Sequence, residues 1–142
     1  LWLVGDIVAK GGNLLLNVGP RGVDASIPDA QLARLDWLTQ WVGPNRDAIF
    51  GTRPWIHSGS TTGEGNSVRY TAREETVFAI LANASGSATL HEVRPTATTR
   101  VMTMGGESLS WRDMEHGLVI DLPQTVAGPE PLVLALHHVR AQ

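Results

Sequence analysis

The chain has 142 residues, of which 42% are hydrophobic and 18% are charged, which is an ordinary composition for a globular protein. Its formal net charge of -3 and the lack of a basic cluster exclude nucleic acid as an expected partner. No apolar run approaches the length of a membrane span, and the absence of cysteine excludes disulfides. We therefore expect a soluble protein with no membrane partner.

Residues 1–10 are predicted to form the end of an amphipathic helix. Their apolar side chains recur at helical spacing, at Leu3, Val4, Ile7 and Val8. Gly11 can adopt the positive φ that commonly ends a helix, and the ammonium group of Lys10 suits the negative helix end.

A short apolar run follows this helix. Leu14, Leu15 and Leu16 show no polar alternation, and Gly19-Pro20 ends the run. A strand with apolar side chains on both faces is typical of a parallel sheet that is covered on both sides. Because residues 1–10 cannot supply the neighbouring strands, we expect this chain to be the tail of a larger protein.

A second helix is expected from about Pro28 to Val42. Proline suits the first helical turn, and Ser26 is a nearby candidate cap. The expected buried stripe consists of Leu32, Leu35, Leu38 and Val42. Helix, strand and helix with tight connections are typical of a barrel or a doubly wound sheet.

The pattern changes from Trp55 onward. Short apolar segments recur at about ten-residue spacing, separated by glycine, asparagine, serine and proline, which is typical of an antiparallel sandwich. The most apolar segments, 77–81 and 132–136, are expected at its centre. Strands are predicted near residues 54–58, 67–72, 75–82, 87–93, 98–104, 108–112, 117–121 and 131–139.

The expected fold class is therefore an α+β fragment. One barrel-type helix-strand-helix segment precedes an antiparallel β-sandwich domain. Residues 1–52 are interpreted as the end of a (β/α) barrel-like catalytic domain, and residues 53–142 as the C-terminal sandwich.

Two segments together resemble the late part of the α-L-fucosidases of glycoside hydrolase family 29. The first is VAKGGNLLLNVGPRG over residues 8–22, and the second is AIFGTRPW over residues 48–55. The resemblance implies that the first segment forms a late strand of a catalytic barrel. It also implies that the second segment leads into a C-terminal β-sandwich.

The chain departs from the family pattern just before Ile27-Pro28. The family usually has Asp-Gly-Thr/Ser there, whereas this sequence has Val23-Asp24-Ala25-Ser26. Because a residue with a Cβ seldom adopts positive φ, Ala25 is expected to have an ordinary negative φ.

The resemblance implies a retaining α-L-fucosidase that hydrolyses terminal α-L-fucosyl residues of glycoconjugates, with an aspartate nucleophile and a glutamate or equivalent acid/base. Such a pair of carboxyl groups stands about 5–5.5 Å apart. In the family both precede the GGNLLLNVGP segment, so no catalytic residue is expected in this chain. Because barrel active sites lie at the carboxyl ends of strands, Asn17, Arg21 and Asp24 are candidate substrate-adjacent residues.

Other chemically suggestive residues favour structural roles. Asp6 is expected to be a solvated or capping carboxylate. His137 and His138 are adjacent on a predicted strand, so their side chains should point to opposite faces and cannot chelate one metal. No metal site or cofactor is expected. Trp37 and Trp41, at i and i+4 on one helix, are expected to pack in the core.

Two further tryptophans and one motif lie in the second half of the chain. Trp55 is expected to pack between the two parts of the protein, and Trp111 in the sandwich core. Asn83-Ala84-Ser85 fits the pattern of a glycosylation acceptor, which recurs often by chance.

Three hypotheses follow. In the first, the chain is part of a fucosidase whose chemistry needs the complete barrel. In the second, it is a non-catalytic β-sandwich module that binds carbohydrate or a protein. In the third, it is a short fucosidase that rebuilds its site by self-association. Fucosylated glycans are the expected partners. An uncovered apolar strand and helix faces also predict a homo-oligomer or a bound upstream fragment. The compartment stays open between the bacterial cytoplasm and secretion.

Overall fold

The computed structural model describes residues 1–124 and 129–142. Helices α1 (Trp2–Ala9), α2 (Asp29–Val42) and α3 (Arg46–Ile49) occupy the first third of the chain. The strands that follow are β1 (Arg53–Thr61), β2 (Ser67–Arg73), β3 (Thr76–Leu81), β4 (Ser87–Leu90), β5 (Val93–Arg94), β6 (Arg100–Thr103), β7 (Trp111–Met114), β8 (Gly117–Asp121), β9 (Leu132–His137) and β10 (Arg140–Ala141). None of the described helices is both long and apolar enough to cross a membrane.

The strands form antiparallel sheets arranged as a sandwich. One sheet has the order β1-β2-β3-β9-β6, a second has the order β4-β8-β7, and β5 pairs with β10. Strands β3 and β9 run side by side in the middle of the larger sheet, with Val77 opposite Leu136 and Leu81 opposite Leu132. The prediction that these two apolar segments are central is confirmed.

The core between the sheets follows the two-residue period of the strands. On β3, Val77, Ala79 and Leu81 face the smaller sheet, and on β9 Leu134 and Leu136 do the same. They meet buried side chains of β4 and β8, which are Ala88, Leu90, Leu118 and Ile120. This shared cluster makes the two sheets one packed unit.

The alternate residues of the same two strands face the helices. Phe78 and Ile80 from β3 form a second buried cluster with Val133 and Ala135 from β9. This cluster receives Val4 of α1, Trp41 of α2, and Ala48 and Ile49 of α3. The larger sheet is therefore covered on both faces, by helices on one side and by the smaller sheet on the other.

Helix α1 approaches the sheet closely at Gly5. A Cβ at this position would lie 3.1 Å from two carbon atoms of Ile80, so the absence of a side chain lets the helix lie against β3. The helix ends as expected, because Gly11 adopts a φ of 80° and its N–H donates to the carbonyl of Val8.

The strand predicted at Leu14–Leu16 does not form. Residues 12–21 have no helix or strand, and the exposed fractions of Leu14, Leu15 and Leu16 are 40%, 84% and 55%. A strand of this kind needs neighbouring strands to satisfy its backbone, and no strand in the described part of the chain pairs with it.

Two further expectations need correction. Ala25 adopts a φ of 58°, so the position keeps the left-handed conformation even without glycine. On α2, Leu32 is exposed whereas Leu35, Leu38 and Val42 are only half-buried, and Trp41 is the residue that reaches the core. Trp41 lies in the buried cluster between α2 and the larger sheet, and Leu38 and Val42 pack against the edge of that cluster.

Truncating the sandwich core should destabilise the protein strongly. Leu134→Ala removes a fully buried side chain and leaves a cavity, so the free energy of unfolding should fall by about 2–5 kcal/mol. Val23→Ala, at a side chain that is 92% exposed, is the matched control and should change it by less than about 0.5 kcal/mol. Urea denaturation followed by tryptophan fluorescence measures both. Equal effects of the two variants would contradict the assigned core.

Candidate functional site

The three candidate substrate-adjacent residues lie in the exposed segment between α1 and α2. Asn17, Arg21 and Asp24 are all exposed. The backbone N–H of Arg21 donates to the carbonyl of Ser26 at 2.8 Å, and the N–H of Ala25 donates to the carbonyl of Arg21 at 2.8 Å. Arg21 and Asp24 therefore share one tight turn, whereas Asn17 lies before it.

Asp24 is engaged inside this turn. Its carboxylate accepts hydrogen bonds from the backbone N–H of Ser26 at 3.0 Å and from the Ser26 hydroxyl at 2.7 Å. These bonds hold the pKa of Asp24 below its usual range. A general acid of a glycosidase needs a raised pKa, so this carboxylate is suited to shaping the turn and not to donating a proton.

One hydrogen bond ties the segment to the following helix. The N–H of Gly19 donates to the side-chain carbonyl of Gln31 at 2.8 Å. Gly19 lies three residues after Leu16, the last residue of the apolar run, and Gln31 lies in the first turn of α2. The bond fixes the point at which the chain turns from the apolar run toward the loop that carries Arg21 and Asp24.

A groove of about 850 Å³ lies beneath the apolar run. Leu14 and Leu16 line it, whereas Leu15 between them is 84% exposed, so the run alternates as a strand does even without a sheet. The opposite walls are apolar side chains of the three helices and the segment after them, among them Val4, Val8, Leu38, Val42 and Phe50. The sequence predicted the run but not this groove.

Asp6, the carboxylate nearest the apolar run on its N-terminal side, is fully engaged. It accepts hydrogen bonds from Lys10 Nζ at 2.7 Å and from Arg69 Nε at 2.5 Å. The hydrogen bond from Lys10 and then that from Arg69 hold the pKa of Asp6 below its usual value of 3.8. Arg69 also lies over the ring of Trp2, 5.1 Å from its centroid. Asp6 thus joins α1 to β2.

The histidines have structural partners, as expected. His137 on β9 contacts the hydroxyl of Thr76 at 3.0 Å, and burial lowers its pKa. His138 follows with a φ of 55° and pairs with Glu75 at 3.2 Å. Within residues 1–124 and 129–142, no group of three His, Cys, Asp or Glu side chains could hold a metal ion.

The tryptophans divide between core and surface. Trp41 is buried and its indole N–H donates to the carbonyl of Pro131, whereas Trp37 is 46% exposed and donates to Glu130. The expectation that both pack in the core is thus met only by Trp41. Trp55 lies against Tyr70, with ring centroids 5.2 Å apart, and packs on the sandwich core. The expectation that Trp55 packs between two parts of the chain is therefore wrong, whereas Trp111 does pack against that core.

Comparison with known proteins gives one consistent result. The profile of the family described as Alpha-L-fucosidase matches residues 2–47. An α-L-fucosidase of Branchiostoma floridae is 32% identical over 133 residues, which are 91% of this chain and 29% of that protein. The tissue α-L-fucosidase of Bos taurus is 36% identical over 122 residues, covering 82% of this chain and 25% of that protein.

A solved structure extends the similarity to the fold. The α-fucosidase of Thermotoga maritima in complex with fucose superposes with a TM-score of 0.80 and 34% identity, over 94% of this chain and 33% of that chain. The superposition includes helices and sandwich together. The chain thus spans about a third or less of the length of the relatives that it matches.

Replacing the Asp6 carboxylate should change the dependence of stability on pH. The folded-state pKa of Asp6 is lowered, so its contribution is complete above the unfolded value of 3.8 and is lost as pH falls through the folded value. Asp6→Asn should cost about 1 kcal/mol at pH 7, because the pair is only partly exposed. The difference in stability from the parent protein should begin to narrow as pH falls below 3.8.

The matched control is Asp47→Asn, which breaks the exposed ion pair with Arg73 and should cost less than about 0.5 kcal/mol. Thermal unfolding between pH 3 and pH 7 measures all three proteins (about the range over which carboxylates titrate). A constant difference between Asp6→Asn and the parent protein across this range would contradict the assigned ion pair.

Proposed function

Because this chain belongs to the α-L-fucosidase family, matching a C-terminal portion of it, we propose that it is part of a retaining α-L-fucosidase acting on glycoconjugates. The substrate is a terminal α-L-fucosyl residue, which the enzyme removes by hydrolysis. The observation that carries the proposal is the match to the fucose complex, at 34% identity over 94% of the chain. Composition alone would fit many globular proteins.

The reaction requires two carboxyl groups, and the two carboxylates closest in sequence to the apolar run are not suited to act as the acid. In a retaining glycosidase one carboxylate attacks the sugar and a second carboxyl group protonates the leaving oxygen. Asp6 is neutralised by Lys10 and Arg69, and Asp24 is bound by Ser26. Both have lowered pKa values, the reverse of what the acid needs. As the resemblance to the family implies, we place the catalytic pair in the portion of the enzyme that precedes the GGNLLLNVGP segment.

Residues 1–52 contribute the last segment of the catalytic barrel in this proposal. Leu14–Leu16 already alternates as a strand and is exposed on both sides, so it is ready to pair within a parallel sheet. Asn17, Arg21 and Asp24 would then follow the carboxyl end of a barrel strand, the end at which substrates bind in this architecture. Their proposed role is contact with the sugar or with the loops that hold it.

Residues 53–142 contribute a platform. The outer face of the larger sheet, at Phe78 and Ile80, holds α1, α2 and α3 in one cluster. In the proposed enzyme this cluster fixes the position of α1 on the sheet, and therefore the position and direction of the apolar run that follows it. The sandwich therefore positions a barrel segment and takes no part in bond cleavage.

The exposed apolar run also favours association. Leu15 is 84% exposed, and the groove beside it is apolar. Large apolar surfaces of this kind mark protein interfaces. We infer that the run is covered either by the preceding part of the enzyme or, in the isolated chain, by a second copy.

The isolated chain should be inert toward fucosides. Purified chain of verified intact mass should release no 4-nitrophenol from 4-nitrophenyl α-L-fucoside above the buffer rate, because the catalytic carboxyl pair is missing. A chimera in which this chain replaces the matching third of the Thermotoga maritima enzyme should turn the same substrate over.

The truncated Thermotoga maritima enzyme that lacks this third is the control for the chimera, and it should be inactive. Turnover by the isolated chain at any concentration would contradict the proposed division of the active site. A folded chimera, verified by circular dichroism, that releases no 4-nitrophenol would contradict the proposed function itself.

Introducing a negative charge into the apolar run should weaken the self-association of the isolated chain. Leu15→Glu places a carboxylate on the proposed contact, so the Kd for self-association measured by sedimentation velocity should rise by at least about tenfold, since a buried unpaired charge is costly. Ile56→Glu, at a side chain that is 75% exposed on β1, is the matched control and should not alter association. A monomeric parent chain would contradict self-association through this surface.

A further inference from the structure

The middle of strand β1 bulges away from β2, and a polar recess lies beside this bulge. Its register passes from Pro54 opposite Thr71 to Gly59 opposite Arg69, so residues 55–58 of β1 face the single residue Tyr70 of β2. Bulges interrupt the ladder, bend the bulged strand and are over-represented next to active sites. The recess beyond the bulge has a volume of about 350 Å³.

Arg69 reaches this recess because of Gly59. A Cβ at Gly59 would lie 2.6 Å from the carbonyl oxygen of Val68 and 2.7 Å from Cδ of Arg69. Any other residue would displace the arginine or the strand. With glycine there, the arginine side chain crosses β1, and only 21% of it is exposed.

The charged residues that line the recess are both cations, Lys10 and Arg69. The carboxylates of Asp6 and Glu92 lie behind the lining, where Asp6 pairs with the two cations and Glu92 accepts from the Ser60 hydroxyl. Lys10 Nζ uses one of its three protons on Asp6, and its side chain is 57% exposed. Arg69 commits Nε to Asp6 and one Nη1 proton to the carbonyl of Val68, so further guanidinium protons stay available.

Hydroxyl groups complete the walls. The recess is lined by Ser58, Thr61 and Ser67, all exposed, and also by Ser60, whose hydroxyl donates to Glu92 at 2.7 Å. Hydroxyls beside an ammonium and a guanidinium are the donors that proteins use for phosphate and sulfate oxygens. The nearby Asp6 carboxylate is paired with these two cations and is not part of the lining of the recess.

We propose that this recess, formed by Lys10, Arg69 and the hydroxyls of the β1 bulge, is an oxyanion-binding site that takes a sulfate or phosphate group, either free or esterified to a saccharide. The two cations of the lining, Lys10 and Arg69, supply the attraction. The planar guanidinium and the serine and threonine hydroxyls give directed hydrogen bonds to the oxygens. The site is independent of the activity proposed above, because it is built from residues of the described chain alone.

The sequence offers a direct probe, because Lys10 is the only lysine. Trace acetylation with acetic anhydride, followed by peptide mapping, reports Lys10 and the α-amino group of Leu1 separately in one sample. Sodium sulfate should slow acetylation of Lys10 by about threefold or more relative to sodium chloride at equal ionic strength, and leave Leu1 unchanged. Equal slowing at both amines, or none at Lys10, would overturn the site.

Variants separate recognition of an oxyanion from a merely structural role. Asp6→Asn raises the net charge of the cluster, so protection of Lys10 should need about threefold less sulfate. Ser58→Ala removes an exposed hydroxyl, so protection of Lys10 in this variant should need a higher sulfate concentration. Arg73→Ala, on the same strand outside the recess, is the control and should behave as the parent. Unchanged sulfate dependence in both Asp6→Asn and Ser58→Ala would overturn the proposal, and the second variant leaves the Asp6 ion pairs intact.

A second set of probes distinguishes the two sources of the oxyanion. A sulfated monosaccharide that protects Lys10 at lower concentration than inorganic sulfate would identify an esterified saccharide as the ligand. Better protection by inorganic sulfate would identify the free anion. Equal protection by the unsulfated parent monosaccharide would contradict oxyanion recognition.

Discussion

The two-sided burial of strands β3 and β9 is the constraint on which the rest of this structure depends. Residues of one parity, such as Leu134, fill the space between the sheets, and residues of the other parity, such as Ile80, hold the helices. A shift of one residue in either strand would exchange these two sets and leave both cores incorrectly filled. The register of this strand pair therefore fixes the position of the helical segment as well as the sandwich.

Polar contacts between the helices and β2 add to the apolar packing that positions the helices on the larger sheet. Asp6 of α1 binds Arg69 of β2, and the Thr71 hydroxyl donates to the carbonyl of Ala48 in α3 at 2.8 Å, so two helices are tied to the same strand. Among the described residues, no hydrogen bond anchors residues 13–18, and the next one is that of the Gly19 N–H to the Gln31 side chain. The apolar run thus begins after α1, which is held against the larger sheet, and is followed by the anchored Gly19. No strand in the described residues pairs with it. This arrangement agrees with a portion of a larger enzyme.

Local chemistry determined which parts of this fold could be predicted from the sequence. The sandwich strands were predictable because alternation and turn residues are local signals, and the central position of β3 and β9 followed from their apolar character. The predicted strand at Leu14–Leu16 is absent because no strand in the described residues pairs with it, and strand pairing is not a local signal. The positive φ of Ala25 could not be predicted from its residue type, because it comes from the turn around Asp24 and Ser26. The pairing of Asp6 with Arg69 spans 63 residues, and spacing alone carries no signal for it.

The central claim is that Leu14–Leu16 becomes a paired barrel strand in the complete enzyme. Amide hydrogen exchange at these three residues tests it most directly. The amides should exchange quickly in dilute isolated chain, because the segment has no strand partner in the described residues. In the chimera with the preceding portion of the Thermotoga maritima enzyme, they should be protected by at least about a hundredfold, since strand pairing in a buried sheet opens only with sub-global unfolding. Equally fast exchange in a folded and active chimera would contradict the account.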